Sequence, residues 1–159
     1  MQSSVPYGWQ FKDEDVFMPC SKSQRLNCFA FLARDNKLIF KTTTGKIDSN
    51  FIIAQLEPLS MNIDKPTVIV LDNAKVHSSK KIKDFIPIWE NRGLFIFYLP
   101  TYSPHLNIIE TLWRKLKYDW LRPQDYSSVD NLFYSVNQIL ASVGSDLFVN
   151  FSKFSVGLT

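Results

Sequence analysis

Two carboxylates are placed where phosphoryl chemistry would use them. Asp72 ends the apolar run in "VIVLDNAKVH", and Glu110 stands in "SPHLNIIETLWRKL", a little under forty residues further on. Singly, each has an ordinary explanation. Asp-Asn after a strand is turn chemistry, and Glu110 with Arg114 is an i,i+4 surface pair worth about 0.2–0.5 kcal/mol. Brought to one edge of a sheet, they become a hard oxygen donor set of the kind that holds Mg²⁺, with Mn²⁺ as substitute, and leaves room for phosphate. Two such ions about 3.5–4 Å apart can serve both the attacking and the leaving oxygen of a phosphoryl transfer. That arrangement calls for a third acidic group as well.

The elements that must position them read as follows. Val5–Phe11 is a short strand in an otherwise loop-like lead-in. "RLNCFAFLARDNKLIFKTT" is two β-rich runs around a polar Arg34-Asp35-Asn36, hence a hairpin. A helix follows from about Ser49 to Leu59 with Ser49 as its N-cap. Thr67–Leu71, short, β-branched and apolar throughout, fits a strand buried on both faces. Ser78 or Ser79 caps a helix that runs to about Asn91, with Gly93 as its stop and Pro87 expected to kink or split it. Leu94–Leu99 is a second buried strand. Ser103 as N-cap and Pro104 at the first helical position open the next helix, whose apolar stripe is Leu106, Ile109, Trp113, Leu116 and Trp120. Glu110 would then stand nearly two turns in. A last helix spans about Val129–Val143, Gly144 ends it, and the Phe-rich tail docks back. Helices alternating with apolar strands argue α/β with a partly parallel sheet, and ligands gather at the carboxyl ends of such strands.

Composition narrows the class. The chain has 159 residues, 45% hydrophobic, 14% aromatic and 21% charged, enough for one globular domain with a core and no internal boundary. A net charge of +3 permits contact with nucleic acid without demanding it. Cys20 and Cys28 read as free thiols of a reducing cytosol. No signal pattern or membrane-length apolar run is present, so a cytoplasmic protein without membrane contact is expected.

The stretch from "VIVLDNAKVH" to "LPTYSPHLNIIETLWRKLKYDWL" resembles the catalytic core of DDE transposases, in the bacterial insertion-sequence branch related to mariner elements. The family hallmarks are a strand ending in LDNA-x-x-H and, later, YLP-x-YSP-x-LN-x-IE-x-x-W. The resemblance implies a ribonuclease H-like α/β fold, a mixed sheet with flanking helices. It makes Asp72 the second metal-binding aspartate and Glu110 the final glutamate, both catalytic and both metal ligands. It implies Mg²⁺-dependent hydrolysis at transposon ends, followed by attack of the freed 3′-hydroxyl on target DNA, in a nucleoid-associated protein. Asn73, His77 and Asn107 would support the ligands from behind. Lys75, Lys80, Lys81, Arg114, Lys115 and Lys117 flank the two carboxylates in sequence, and neutralise DNA phosphates if they rim one cleft.

The family's first aspartate should stand on a central strand just before "SVPYGW". The expectation is therefore an N-terminally truncated domain, 1–159, lacking the DNA-reading region and the first catalytic strand, with impaired cleavage. Asp13, Glu14 and Asp15 fall where the family has loop. The vacated slot would be filled by Val5–Phe11 or by a strand exchanged from a second copy, making a homodimer. Two alternatives stand beside this reading. One is a non-catalytic fragment that binds DNA or full-length transposase as a regulator. The other is a ribonuclease H-like nuclease with a site rebuilt on Asp13 or Asp15.

Overall fold

A computed structural model describes residues 25–101 and 103–151, which fall into two compact units. One comprises Thr43–Glu110, and the other joins the chain before Thr43 to the chain after Glu110. The strand expected at Val5–Phe11, together with Cys20 and the acidic Asp13, Glu14 and Asp15, lies outside the described residues.

The unit Thr43–Glu110 carries both carboxylates. Its first helix, α1 (Ser49–Asn62), starts one residue earlier in function than expected: Asp48, not Ser49, is the N-cap, accepting the Phe51 amide at 2.9 Å. Asp is as good a cap as Ser, and the freed Ser49 hydroxyl donates instead to the Val76 carbonyl at 3.2 Å. The helix also runs past Leu59, accommodating Pro58. β3 (Thr67–Leu71) and β4 (Leu94–Tyr98) pair in parallel, with Thr67 opposite Leu94 and Leu71 opposite Tyr98. Between them α2 (Lys80–Asn91) opens on Ser79, whose hydroxyl accepts the Ile82 amide at 3.4 Å. Pro87 does not split it, and Gly93 follows its end at φ +88°, a conformation that glycine adopts without strain.

The two strands are not buried on both faces as their apolar sequences predict. Ile69, Leu71 and Leu94 are buried, as are Ile52, Leu56, Ile82 and Trp89 of the two helices. On the opposite face Val68 is 59% and Phe97 56% exposed, with Val70 and Phe95 beside them. A strand shows its residues alternately to two faces, and the helices α1 and α2 supply one layer. Glu57 ties that layer together. Its carboxylate accepts the Trp89 indole N–H at 2.8 Å and the Arg92 guanidinium at 2.8 Å.

In the other unit, β1 (Asn27–Leu32) pairs with β2 (Leu38–Thr43) around the expected turn at Arg34-Asp35-Asn36, where Asn36 takes φ +67°. The first part of the tail docks back: Val149 is buried, its amide donating to Asn36 Oδ1 at 2.7 Å and its carbonyl accepting Asn36 Nδ2 at 3.3 Å, while residues 152–159 lie outside the described residues. α4 (Val129–Ala141) is capped by Ser128 and buries Leu132, Val136 and Leu140. Its Asn137 accepts the Thr42 hydroxyl of β2 at 2.9 Å. Cys28 is a free thiol, and burial pushes its pKa up. The described strands thus make two separate two-stranded sheets, one of them parallel, among helices: an α/β chain. Among the described residues no helix is long and apolar enough to cross a membrane.

Candidate functional site

The register of the parallel pair sets up the site. Leu71 is the last residue of β3, and its carbonyl accepts the Leu99 amide at 2.8 Å, so the chain leaves both strands side by side. Asp72 is therefore held at the carboxyl edge of the sheet. The following loop is fastened across that edge by the Asn73 side-chain amide, which donates to the Leu99 carbonyl.

Within the loop, Asp72 Oδ1 accepts the Ala74 amide at 3.0 Å and stands 2.6 Å from His77 Nδ1. The Asp72 side chain is 49% exposed and that of His77 only 17%. Both contacts fall on one carboxylate oxygen, so Oδ2 keeps its lone pairs free of any partner among the described residues.

Glu110 arrives by a different route from the one its sequence predicts. The helix expected from Ser103 is broken into a 3₁₀ turn, Pro104–Leu106, and α3 (Ile109–Lys115). Asn107 makes the break. Its Oδ1 accepts the Ile109 amide at 3.4 Å and its carbonyl accepts the Glu110 amide at 3.1 Å, a local competition with the helix that Asn side chains favour. Glu110 is thereby the second residue of α3 rather than two turns in, and Leu106 is exposed rather than part of an apolar stripe. Leu112 and Leu116 take the buried positions, Trp113 is half-buried, and Leu116–Trp120 continues as a π-helix. Glu110 is exposed and forms no ion pair with Arg114 or any other described residue.

The two carboxylates line one hollow. A hollow of about 290 Å³ is lined by Asp72, Asn73, Leu99, Pro100, Thr101, Ser103, Asn107 and Glu110. Of the five residues expected at or behind the site, four line it, and His77 lies against the Asp72 carboxylate. Thr101, to which the sequence assigns no role, and Ser103, expected only as a helix cap, add hydroxyls to the lining. None of the lining residues is cationic.

None of the six basic residues is among those that line the hollow. Lys75, Lys80 and Lys81 are exposed on the loop after Asp72 and the first turn of α2, with Lys81 Nζ donating to Asn50 Oδ1 at 3.0 Å. Arg114, Lys115 and Lys117 belong to the other compact unit. Lys115 is already occupied there, 3.4 Å from Asp119 and 5.8 Å from the centre of the Trp120 ring.

The donor set suits a hard divalent cation. Asp72 and Glu110 line one hollow; among the described residues one carboxylate has an oxygen without a partner and the other has no hydrogen bond or ion pair. Among the described residues, no group of three or more His, Cys, Asp or Glu gathers closely enough to hold a metal ion. Two carboxylates alone would supply only part of a Mg²⁺ coordination shell, the rest of which comes from water or substrate oxygens.

The chain is 29% identical over 79 residues to the insertion element IS630 uncharacterized 39 kDa protein of Shigella sonnei, a match covering 50% of this chain and 22% of that protein. The chain therefore corresponds to well under two thirds of that relative's length. The family model for the DDE superfamily endonuclease matches residues 1–133, which takes in both carboxylates and all of the hollow, and the chain belongs to that family.

Proposed function

We propose that this chain is the catalytic core of an insertion-sequence transposase and that it acts on DNA phosphodiesters with Mg²⁺. Asp72 and Glu110 are the metal ligands, held in a ribonuclease H-like arrangement. One observation carries the reading: two carboxylates from distant parts of the chain line a single hollow of about 290 Å³ whose lining has no positive side chain. Such a hollow repels a phosphate unless a cation is present. Its volume is about ten times the share of one water, so a cation leaves space for a phosphodiester.

When bound, the metal supplies Lewis-acid stabilisation of phosphoryl oxygens and a nucleophile effective at neutral pH. The protein's own contribution is placement. Asp72 presents Oδ2 because Oδ1 is held by the Ala74 amide and His77. Asn107 sets the start of α3 and so the position of Glu110. The Ser103 and Thr101 hydroxyls can donate to non-bridging phosphate oxygens. Lys75, Lys80, Lys81, Arg114 and Lys117 provide sequence-independent attraction to the DNA backbone, and Lys115, engaged with Asp119 and Trp120, adds little. Action at two transposon ends favours a homodimer, and a DNA substrate favours residence with the nucleoid.

Mn²⁺ titration calorimetry on the chain, beside Asp72→Asn and Glu110→Gln, tests this reading. Binding by the wild type that both variants lose is the expected result. A wild-type chain without Mn²⁺ binding, or one whose binding survives both substitutions, rules it out.

A further inference from the structure

Tyr98 lies outside the hollow, yet it is tied to the group that holds Asp72. Its hydroxyl donates to the His77 carbonyl at 2.8 Å, and its backbone stands opposite Leu71, the residue immediately before Asp72. One residue of β4 is therefore in register with the strand end and also fastened to the far end of the loop that carries His77. The loop has little regular structure of its own. The His77 and Ser78 amides both donate to the Ala74 carbonyl, at 2.8 and 3.2 Å. The His77 backbone is thus held at its amide by the Ala74 carbonyl and at its carbonyl by the Tyr98 hydroxyl.

We propose that Tyr98 is a positioning residue for the cation site, its hydroxyl holding His77 so that the imidazole fixes one oxygen of Asp72 and turns the other toward the hollow. Burial raises the Tyr98 phenol above its ordinary pKa, so the hydroxyl remains a donor across the neutral and mildly alkaline range. The residue touches neither the carboxylates nor the hollow. The inference rests on the metal-site reading above, but the clamp itself can be read without any metal.

The chain has two histidines, His77 and His105, so ring-nitrogen spectra are assignable by a single substitution. The experiment compares ¹⁵N–¹H ring correlations of the full chain, Tyr98→Phe and Asp72→Asn at one pH, with Mn²⁺ titrations of the first two. In Tyr98→Phe the His77 Nδ1 signal should move toward its position in Asp72→Asn, with His105 unmoved. The Mn²⁺ Kd should rise about tenfold, the lower end of what outer-shell partners contribute. An unmoved His77 signal overturns the proposal, and so does an unchanged Kd where the wild type binds Mn²⁺. A wild type that binds no Mn²⁺ while the His77 signal moves overturns the metal reading and leaves the clamp in place. Amide exchange in the unaltered chain gives a second test should Tyr98→Phe not fold. The Ala74 and His77 amides, bonded at 3.0 and 2.8 Å, should exchange more slowly than that of Lys75, and equal rates would overturn the proposal.

Discussion

Asp72 and His77 share a single carboxylate oxygen: Oδ1 stands 2.6 Å from the imidazole Nδ1 and accepts the Ala74 amide at 3.0 Å. The consequence is a carboxylate with one oxygen held and the other without a partner among the described residues, at the edge of a hollow. Fixing a ligand before the cation arrives lowers the ordering cost of binding, as outer-shell partners do in metal sites generally.

His77→Ala should therefore weaken Mn²⁺ binding about 10- to 100-fold while leaving Asp72 and Glu110 in place. Titration calorimetry reads the affinity, and a denaturation curve shows that the fold persists. Unchanged affinity would mean that the imidazole orders the loop without acting on the ligand.

Glu57 makes a prediction that is independent of the site. It accepts hydrogen bonds from Trp89 and Arg92, each at 2.8 Å, and the Arg92 guanidinium, followed by the indole N–H, holds its pKa below the ordinary carboxylate value. A carboxylate with a lowered folded-state pKa contributes stability that is present above its unfolded pKa and lost as pH falls through the folded one. Glu57→Gln should cost about 1 kcal/mol near neutral pH, discounted for its partial exposure to solvent. The difference from wild type should shrink below pH 4.5, the ordinary value for the group. Urea midpoints at neutral and acid pH check both statements.

The hairpin turn is locked by Asn36, which is buried at φ +67° and bonds both the amide and the carbonyl of Val149. Asn36→Ala should cost about 2–4 kcal/mol, from the buried Val149 amide left unpaired and from an alanine in a left-handed conformation. Gly144→Ala attacks the same place from the other side. Its Cβ would fall 2.8 Å from the Asn36 carbonyl oxygen, at a φ of +91° that alanine rarely adopts. Urea unfolding of each variant measures the loss, and a cost below about 0.5 kcal/mol, the usual range for an unremarkable surface change, would show the lock to be unimportant.

How much of this was legible in the sequence depends on the range of the interaction. The strand end at Asp72 was, because an apolar β-branched run that meets Asp-Asn has a local cause. The cap of α2, narrowed to Ser78 or Ser79, and the hairpin turn were legible for the same reason. The start of α3 was not. Ser103-Pro104 has a strong helix-opening signature, yet Asn107 takes the Ile109 amide on its own side chain and restarts the helix there. That competition is decided by a few tenths of a kcal/mol, which propensity cannot resolve. The exposed face of β3 and β4 was hidden because a continuous apolar run reads alike whether one or both faces are covered. The Tyr98–His77 bond spans 21 residues and depends on strand register, which no local pattern announces. The place of the basic residues was not legible either. Neighbours of the carboxylates in sequence, they are not among the residues that line the hollow.

Those basic residues should differ in what they contribute to DNA. Lys75 and Lys80 are exposed and without an ion pair among the described residues, so each is free to meet a phosphate. Lys115 lies 3.4 Å from Asp119 and against the Trp120 ring, and a lysine so engaged would have to leave both before meeting DNA. Every phosphate that a lysine neutralises adds about 0.9 to the steepness of log K against log salt. Lys75→Ala and Lys80→Ala should each flatten the slope by about one unit and weaken binding uniformly across sequences, whereas Lys115→Ala should change it little. Fluorescence anisotropy on a labelled duplex between low and moderate salt measures all three. A flat slope for the wild type would take these lysines out of DNA recognition altogether. A Lys115 effect equal to that of Lys80 would mean that DNA displaces Asp119 at no cost.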